Sequence, residues 1–179
     1  MKNNKGITLI TLIITIIVIL IIAGISIGAG NGVIKKSELE NLKTNMLLIK
    51  VKGKEYVENA NFKLGTNIDS AADKEDKVSN AKGELKGEEI LNIDIFRDNI
   101  NITQEQLQED NANYTYYYKL STQNLIDMGL TNIKSDENKG FYIIKYDIKN
   151  NEVEVYNTKG YEEEDGNVFF SLNEMQVLY

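Results

Sequence analysis

The chain has 179 residues, 27 acidic and 20 basic, with a net charge of -7, and it contains no His, Cys, Trp or Pro. Those absences exclude a His-based catalytic triad, a His general base, a zinc site built from Cys or His, and any disulfide. The negative balance, with lysines interleaved among acids, lacks the clustered positive footprint that wraps nucleic acid.

Near the start, Lys2 and Lys5 precede an uncharged run from Gly6 to Ile27. As a helix, Ile7 to Ile27 measures about 30 Å, enough to cross a bilayer core. Its only polar side chains are Thr8, Thr11, Thr15 and Ser26. Each hydroxyl can bond back to a carbonyl one turn earlier, so none need be unsatisfied in lipid. The chain offers little other protein in which to bury such a helix, so the run is read as membrane-spanning. A secretory signal peptide has a shorter apolar region, about 7–15 residues, although Ala23-Gly24 or Gly28-Ala29-Gly30 offers a small-residue cleavage site. A plain single-pass anchor explains the length alone. Lys35 and Lys36 nearly balance Lys2 and Lys5 across the run, so charge does not set its orientation.

The start carries more. Lys5-Gly6-Ile7-Thr8-Leu9-Ile10 resembles the cleavage site of type IV prepilins and of the pseudopilins of type II secretion. The likeness is close over roughly the first thirty residues and architectural beyond them. It implies a leader of residues 1–6, cut between Gly6 and Ile7 on the cytoplasmic side by a prepilin peptidase, with methylation of the new Ile7 amine. It also implies partners: other pilin-like subunits, met through Leu9, Ile10, Thr11, Ile14 and Ile17, and an assembly-platform membrane protein. The location implied is the cell membrane, single-pass, with the N-terminus cytoplasmic, the C-terminal domain outside, and release into a surface filament. The family usually has glutamate where this chain has Thr11. That departure fits a minor subunit better than an abundant one, or a lineage that packs this layer differently.

Residues 28–60 follow. Gly28, Gly30 and Gly32 fall within five residues and predict a break in the helix, either as its cap or as a hinge. Leu39, Leu42, Met46, Ile49, Tyr56 and Ala60 then recur at spacings of three and four, with Gly53 occupying the stripe, and predict an amphipathic helix. Gly53 predicts a close backbone approach or a bend. Residues 61–113 read as a variable region, with a surface loop between Asp69 and Glu89. A short helix is expected near residues 70–80, another helix or strand from Glu88 to Arg97, and a turn capped by Thr103 with Gln106.

Residues 114–179 read as a C-terminal sheet. Tyr114 to Leu120 is aromatic and β-branched, hence a strand. Ser121 and Thr122 cap a short helix, Gln123 to Met128, which Gly129 ends. Phe141 to Ile148 and Glu152 to Tyr156 alternate around Asn150-Asn151 and predict a hairpin, ended by Lys159-Gly160. Val168 to Phe170 predicts a last strand, and Ser171 with Glu174 a capping box for a closing helix. A tail this apolar is expected to be docked. The fold expected is therefore α+β and pilin-like: a long N-terminal helix, half transmembrane and half amphipathic, packed on a small antiparallel sheet.

Little of this reads as chemistry. In Tyr116-Tyr117-Tyr118, strand alternation sends one or two rings to the core and the rest to the surface, where they could stack on a sugar or another ring. Glu162-Glu163-Glu164-Asp165 has the hard oxygens Ca²⁺ takes but no EF-hand spacing, and reads as a solvated loop. Asp69, Asp73, Glu75 and Asp76 are a weaker case. No catalytic residue, cofactor or metal is expected, and the chain reads as a structural subunit rather than an enzyme. The alternative is a single-pass surface binding protein that never polymerises.

Overall fold

The computed structural model describes residues 31–178. Helix α1 (Asn31–Leu64) leads to a 3-10 turn (Ile68–Ser70), α2 (Lys74–Glu84) and β1 (Glu88–Glu89). A second 3-10 turn (Asp94–Phe96), α3 (Arg97–Ile100) and α4 (Gln104–Ala112) follow. Then come β2 (Thr115–Leu120), α5 (Thr122–Asp127), β3 (Tyr142–Asp147), β4 (Glu152–Glu162), β5 (Val168–Ser171) and α6 (Leu172–Gln176). The class is α+β, a long helix followed by one five-stranded antiparallel sheet in the order β1-β2-β3-β4-β5. Gly6, Ile7, Leu9, Ile10, Thr11, Ile14 and Ile17 lie outside the described residues. Among the described residues no helix is long and apolar enough to cross a membrane.

Contacts divide the chain into two units, residues 1–44 and 45–179. In the first, α1 is already helical at Asn31 and Gly32, while the rest of the expected glycine break lies outside the described residues. Glu40 and Lys43 pair at 3.5 Å on this part of the helix.

In the second unit, α1 buries Met46, Ile49, Gly53, Val57, Ala60 and Leu64. The stripe passes through Val57, not through Tyr56 as expected. Four residues on from Gly53, a 3.6-residue period brings Val57 to the sheet and leaves Tyr56 half-buried at the side. There the Lys86 ammonium lies 5.5 Å from the Tyr56 ring centre. Gly53 lets the helix approach closely. A Cβ placed on it would stand 2.5 Å from Ile144 Cδ1 and 3.1 Å from Val153 Cγ1. Asn61 Nδ2 donates to the Ile148 carbonyl at 2.7 Å, and Lys54 Nζ donates to the Asn151 carbonyl, so α1 is pinned to the β3–β4 turn.

Register assigns the two faces of the sheet. Tyr116, Tyr146 and Val153 stand opposite one another, as do Tyr118, Ile144 and Val155, and this face meets α1. Tyr117, Ile143 and Tyr156 point the other way. They form a second core with Ile90, Ile93, Phe96, Ile100 and Leu107, and Ile102 packs against it. The short elements of residues 90–107, within the region expected to be variable, cover the outer face of the sheet. This also corrects the reading of the tyrosines. Tyr116, Tyr117 and Tyr118 are all buried, because both faces are covered.

The local turn chemistry is largely as expected. Thr103 with Gln106, and Ser171 with Glu174, form reciprocal capping boxes, and Ser121 does the same with Asn124. Asn151 turns the β3–β4 hairpin with φ 55°. The β3–β4 pairing ends at Tyr142 and Asn157, just before Lys159-Gly160, but the strand itself does not stop there. β4 runs on to Glu162 through a register shift between Tyr156 and Tyr161. The fully buried Asn157 makes the irregularity: its Oδ1 accepts from the N–H groups of Lys159 at 2.9 Å and Gly160 at 3.1 Å. Gly160 takes φ 66° and passes so close to the Phe169 carbonyl that a Cβ would stand 2.6 Å from it.

Two stability effects are expected, read by thermal unfolding of the full chain in detergent. Gly53→Ala gains helix propensity but must displace the buried Ile144 Cδ1 and crowd Val153 Cγ1, so the two effects should nearly offset and stability should change by no more than about 1 kcal/mol. Gly53→Leu should cost about 1–3 kcal/mol, because a branched side chain cannot fit between helix and sheet. Met175 is fully buried on α6, and Met175→Ala should cost about 2–5 kcal/mol.

Candidate functional site

The residues singled out for processing and helix-core packing lie outside the described residues, so the geometry concerns the second unit. Its most connected polar group is a row across the outer face of the sheet. Tyr117, Lys145 and Glu154 stand side by side on β2, β3 and β4. Tyr117 donates its hydroxyl to Asp110 at 2.6 Å, and Tyr156 donates to Glu154 at 3.0 Å. Lys145 bridges the two carboxylates at 3.6 and 3.9 Å, and Asn173 Nδ2 donates to Glu154 at 2.6 Å. Burial, together with the acceptor carboxylates, holds the Tyr117 and Tyr156 hydroxyls far above the usual phenol range. They remain protonated donors, and the row ties α4 and α6 onto the sheet.

A second knot forms where β2 begins. Tyr114 adopts φ 64°, a strained conformation for an aromatic residue. Its hydroxyl donates to Asp69 at 2.6 Å, and Lys149 reaches the same carboxylate at 3.1 Å. These bonds hold the Asp69 pKa below the ordinary carboxylate value. The ammonium groups of Lys74 and Lys149 lie 5.4 and 5.6 Å from the Tyr114 ring centre. Of the acids weighed with Asp69, Asp73 pairs with Lys77 at 3.0 Å. In the β4–β5 turn, Asp165 binds the Asn167 backbone and side chain at 3.0 and 2.7 Å, which makes the acidic run a self-bonded turn. Among the described residues, no group of three or more His, Cys, Asp or Glu side chains is arranged to hold a metal ion.

Two grooves are wide enough for a partner. One, of about 650 Å³, lies between α2, the end of α4 and the start of β2. Its lysines are already engaged: Lys82 pairs with Glu89 at 2.5 Å and lies over the Tyr116 ring, and Lys74 pairs with Asp69. The other, of about 550 Å³, lies between α3, β5 and α6. Ile100, Tyr156, Val168 and Phe170 give it an apolar floor, Asp98 and Glu174 stand on its walls, and Val168 is 40 % exposed. This second groove opens on Val168 and Phe170, while Ile100 and Tyr156 beneath them belong to the buried core. Sequence reasoning missed it. The signal was present in the alternation of Val168 to Ser171, but the opposing wall comes from residues 98–101, which no periodicity connects to β5.

Comparison with protein-family models, characterised proteins and solved structures found no match to this chain.

Burial raises the pKa values of Tyr116, Tyr117 and Tyr118, with Tyr116 pushed up to about 12 by burial and, second, by the Glu89 carboxylate. In the unfolded chain tyrosine ionises near about 10. The folded state therefore holds these protons longer, and its stability is intact below about pH 10 and falls as pH rises toward about 12. An alkaline titration should show tyrosinate absorbance of the buried rings appearing in one cooperative step together with loss of the β-sheet signal. Smooth ionisation of every ring near about pH 10, with the sheet intact, would contradict the burial of Tyr116, Tyr117 and Tyr118.

Proposed function

We propose that the chain is a structural subunit of a type IV pilus or type II secretion-like filament, a minor pilin or pseudopilin. The observation that carries the reading is Lys5-Gly6-Ile7-Thr8-Leu9 placed directly before an uncharged run that ends at Ile27. Its companion is the α+β plan, a long helix followed by an antiparallel sheet. In this reading a prepilin peptidase cuts between Gly6 and Ile7, and the membrane stores the subunit. Assembly moves the segment from Ile7 to Ile27 out of lipid and among similar helices of neighbouring subunits. Apolar surface stays covered throughout, so the exchange lies near balance, and an assembly platform supplies direction. The domain from Asn45 onward forms the outer surface.

The second reading, a membrane-anchored surface protein that does not polymerise, needs the same segment but no cut at Gly6. Thr11 bears on how a filament would pack, and fits a minor subunit or a lineage that packs this layer differently. In the filament family a glutamate at this point is thought to pair with a neighbour's terminal amine, and a charge held in lipid normally marks such a function. Here the amine of Ile7 would take hydroxyls of Thr8 or Thr11, carbonyls or headgroups instead.

Gly6→Val separates the two. The filament reading predicts a longer, unprocessed chain that still fractionates with membranes, beside a shortened wild-type form on the same gel. Equal lengths for variant and wild type would remove the prepilin pathway.

A further inference from the structure

Two triplets of the form Asn-X-Thr occur in the chain, Asn101-Ile102-Thr103 and Asn113-Tyr114-Thr115. Such a triplet is the minimal acceptor for an N-linked glycan in an exported domain. The fold treats the two differently. Asn113 caps the end of α4, where its Nδ2 donates to the Glu109 carbonyl at 3.0 Å. Tyr114 is buried with its hydroxyl on Asp69, and Thr115 is only 5 % exposed in β2. An enzyme could not grip this triplet in the folded domain without unpicking the start of β2.

The first triplet is presented. Asn101 is exposed in the link between α3 and α4, and among the described residues its side chain takes no hydrogen bond. The backbone turns there with φ 48°, a conformation asparagine tolerates. Thr103 is exposed at the head of α4. Between them Ile102 packs against the outer-face core, which anchors the triplet while the acceptor amide and the threonine stay at the surface.

We propose that Asn101 is the acceptor of an N-linked glycan. The donor is an oligosaccharide carried on a polyprenyl diphosphate, and the partner is a membrane oligosaccharyltransferase acting on the outer side. Asn101 Nδ2 bonds to the anomeric carbon of the first sugar. The bond from that carbon to the diphosphate oxygen breaks, its electron pair leaves with the polyprenyl diphosphate, and the amide nitrogen gives up one proton. Asn101 also lines the groove edged by Val168 and Phe170, so the attached sugars have open space and displace no packed side chain. The inference rests on export of the domain, which both readings of the function share.

The test uses full-length protein from membranes of the native host, beside intact cells treated with an added protease to show that the domain lies outside. Trypsin releases residues 98–119 as one peptide that contains both triplets. The wild-type peptide should carry the mass of a sugar chain, and fragmentation should place it on Asn101, with Asn113 bare. Asn101→Asp keeps a residue that tolerates the turn, and Thr103→Asp keeps a helix cap, so both variants should fold and both should lose the added mass completely. Thr103→Ser should retain it. A bare Asn101 on protease-accessible chains, a sugar on Asn113 alone, or added mass that survives Thr103→Asp would overturn the inference and leave the readings of function standing. Chains that the protease cannot reach, with Asn101 bare, would remove the shared export and the inference together.

Discussion

Ile143 and Ile144 are neighbours in β3, point to opposite faces of the sheet, and are both sealed from water. A strand built this way needs cover on two sides, and the rest of the second unit meets that need. On one side α1 lies close because Gly53 puts no side chain between its backbone and Ile144. On the other, Ile90, Ile93, Phe96, Ile100 and Leu107 spread over Tyr117, Ile143 and Tyr156. The polar row of Asp110, Tyr117, Lys145, Glu154 and Asn173 then ties that second cover down, with its buried hydroxyls supplied with acceptors.

This two-sided burial explains which parts were legible in the chain. Signals complete within a few residues were read well. Thr103 with Gln106, Ser121 before its helix, Ser171 with Glu174, and the turn at Asn150-Asn151 each satisfy backbone groups locally, so their residue types suffice. The strands were also legible, but their environment was not. Lys145 and Asp147 share the side of Ile143 and suggest one wet face, and nothing in β3 says that residues 90–107 come back to cover it. Residues 90–107 hold their apolar side chains in a loop, a 3-10 turn, the one-turn α3 and the start of α4, so no single period of 3.6 or 2 gathers them. The continuation of β4 past Gly160 was hidden for a related reason. It depends on Asn157, a polar residue buried to hold a bulge, where sequence pattern suggests a stop.

The candidate site divides the same way. The segment proposed for processing is legible because a peptidase would read it as a linear sequence, with no need of a fold. The groove between α3, β5 and α6 was not legible, because its floor joins Ile100 to Tyr156 and Phe170 across the sheet's outer layer. The rows of tyrosines and acids that drew attention in the sequence serve the fold: the tyrosines fill both cores, and Asp165 closes its own turn. What the second unit offers to a partner is surface, an exposed Phe62 on one side and a groove edged by Val168 and Phe170 on the other.

The central claim is that the chain enters a filament pathway through its first residues, and the mass of the N-terminal peptide from native membranes tests it most directly. The account predicts a peptide that begins at Ile7 and carries one additional methyl group. A terminus at Met1 or Lys2, or a start near Ser26 or Asn31, would contradict it.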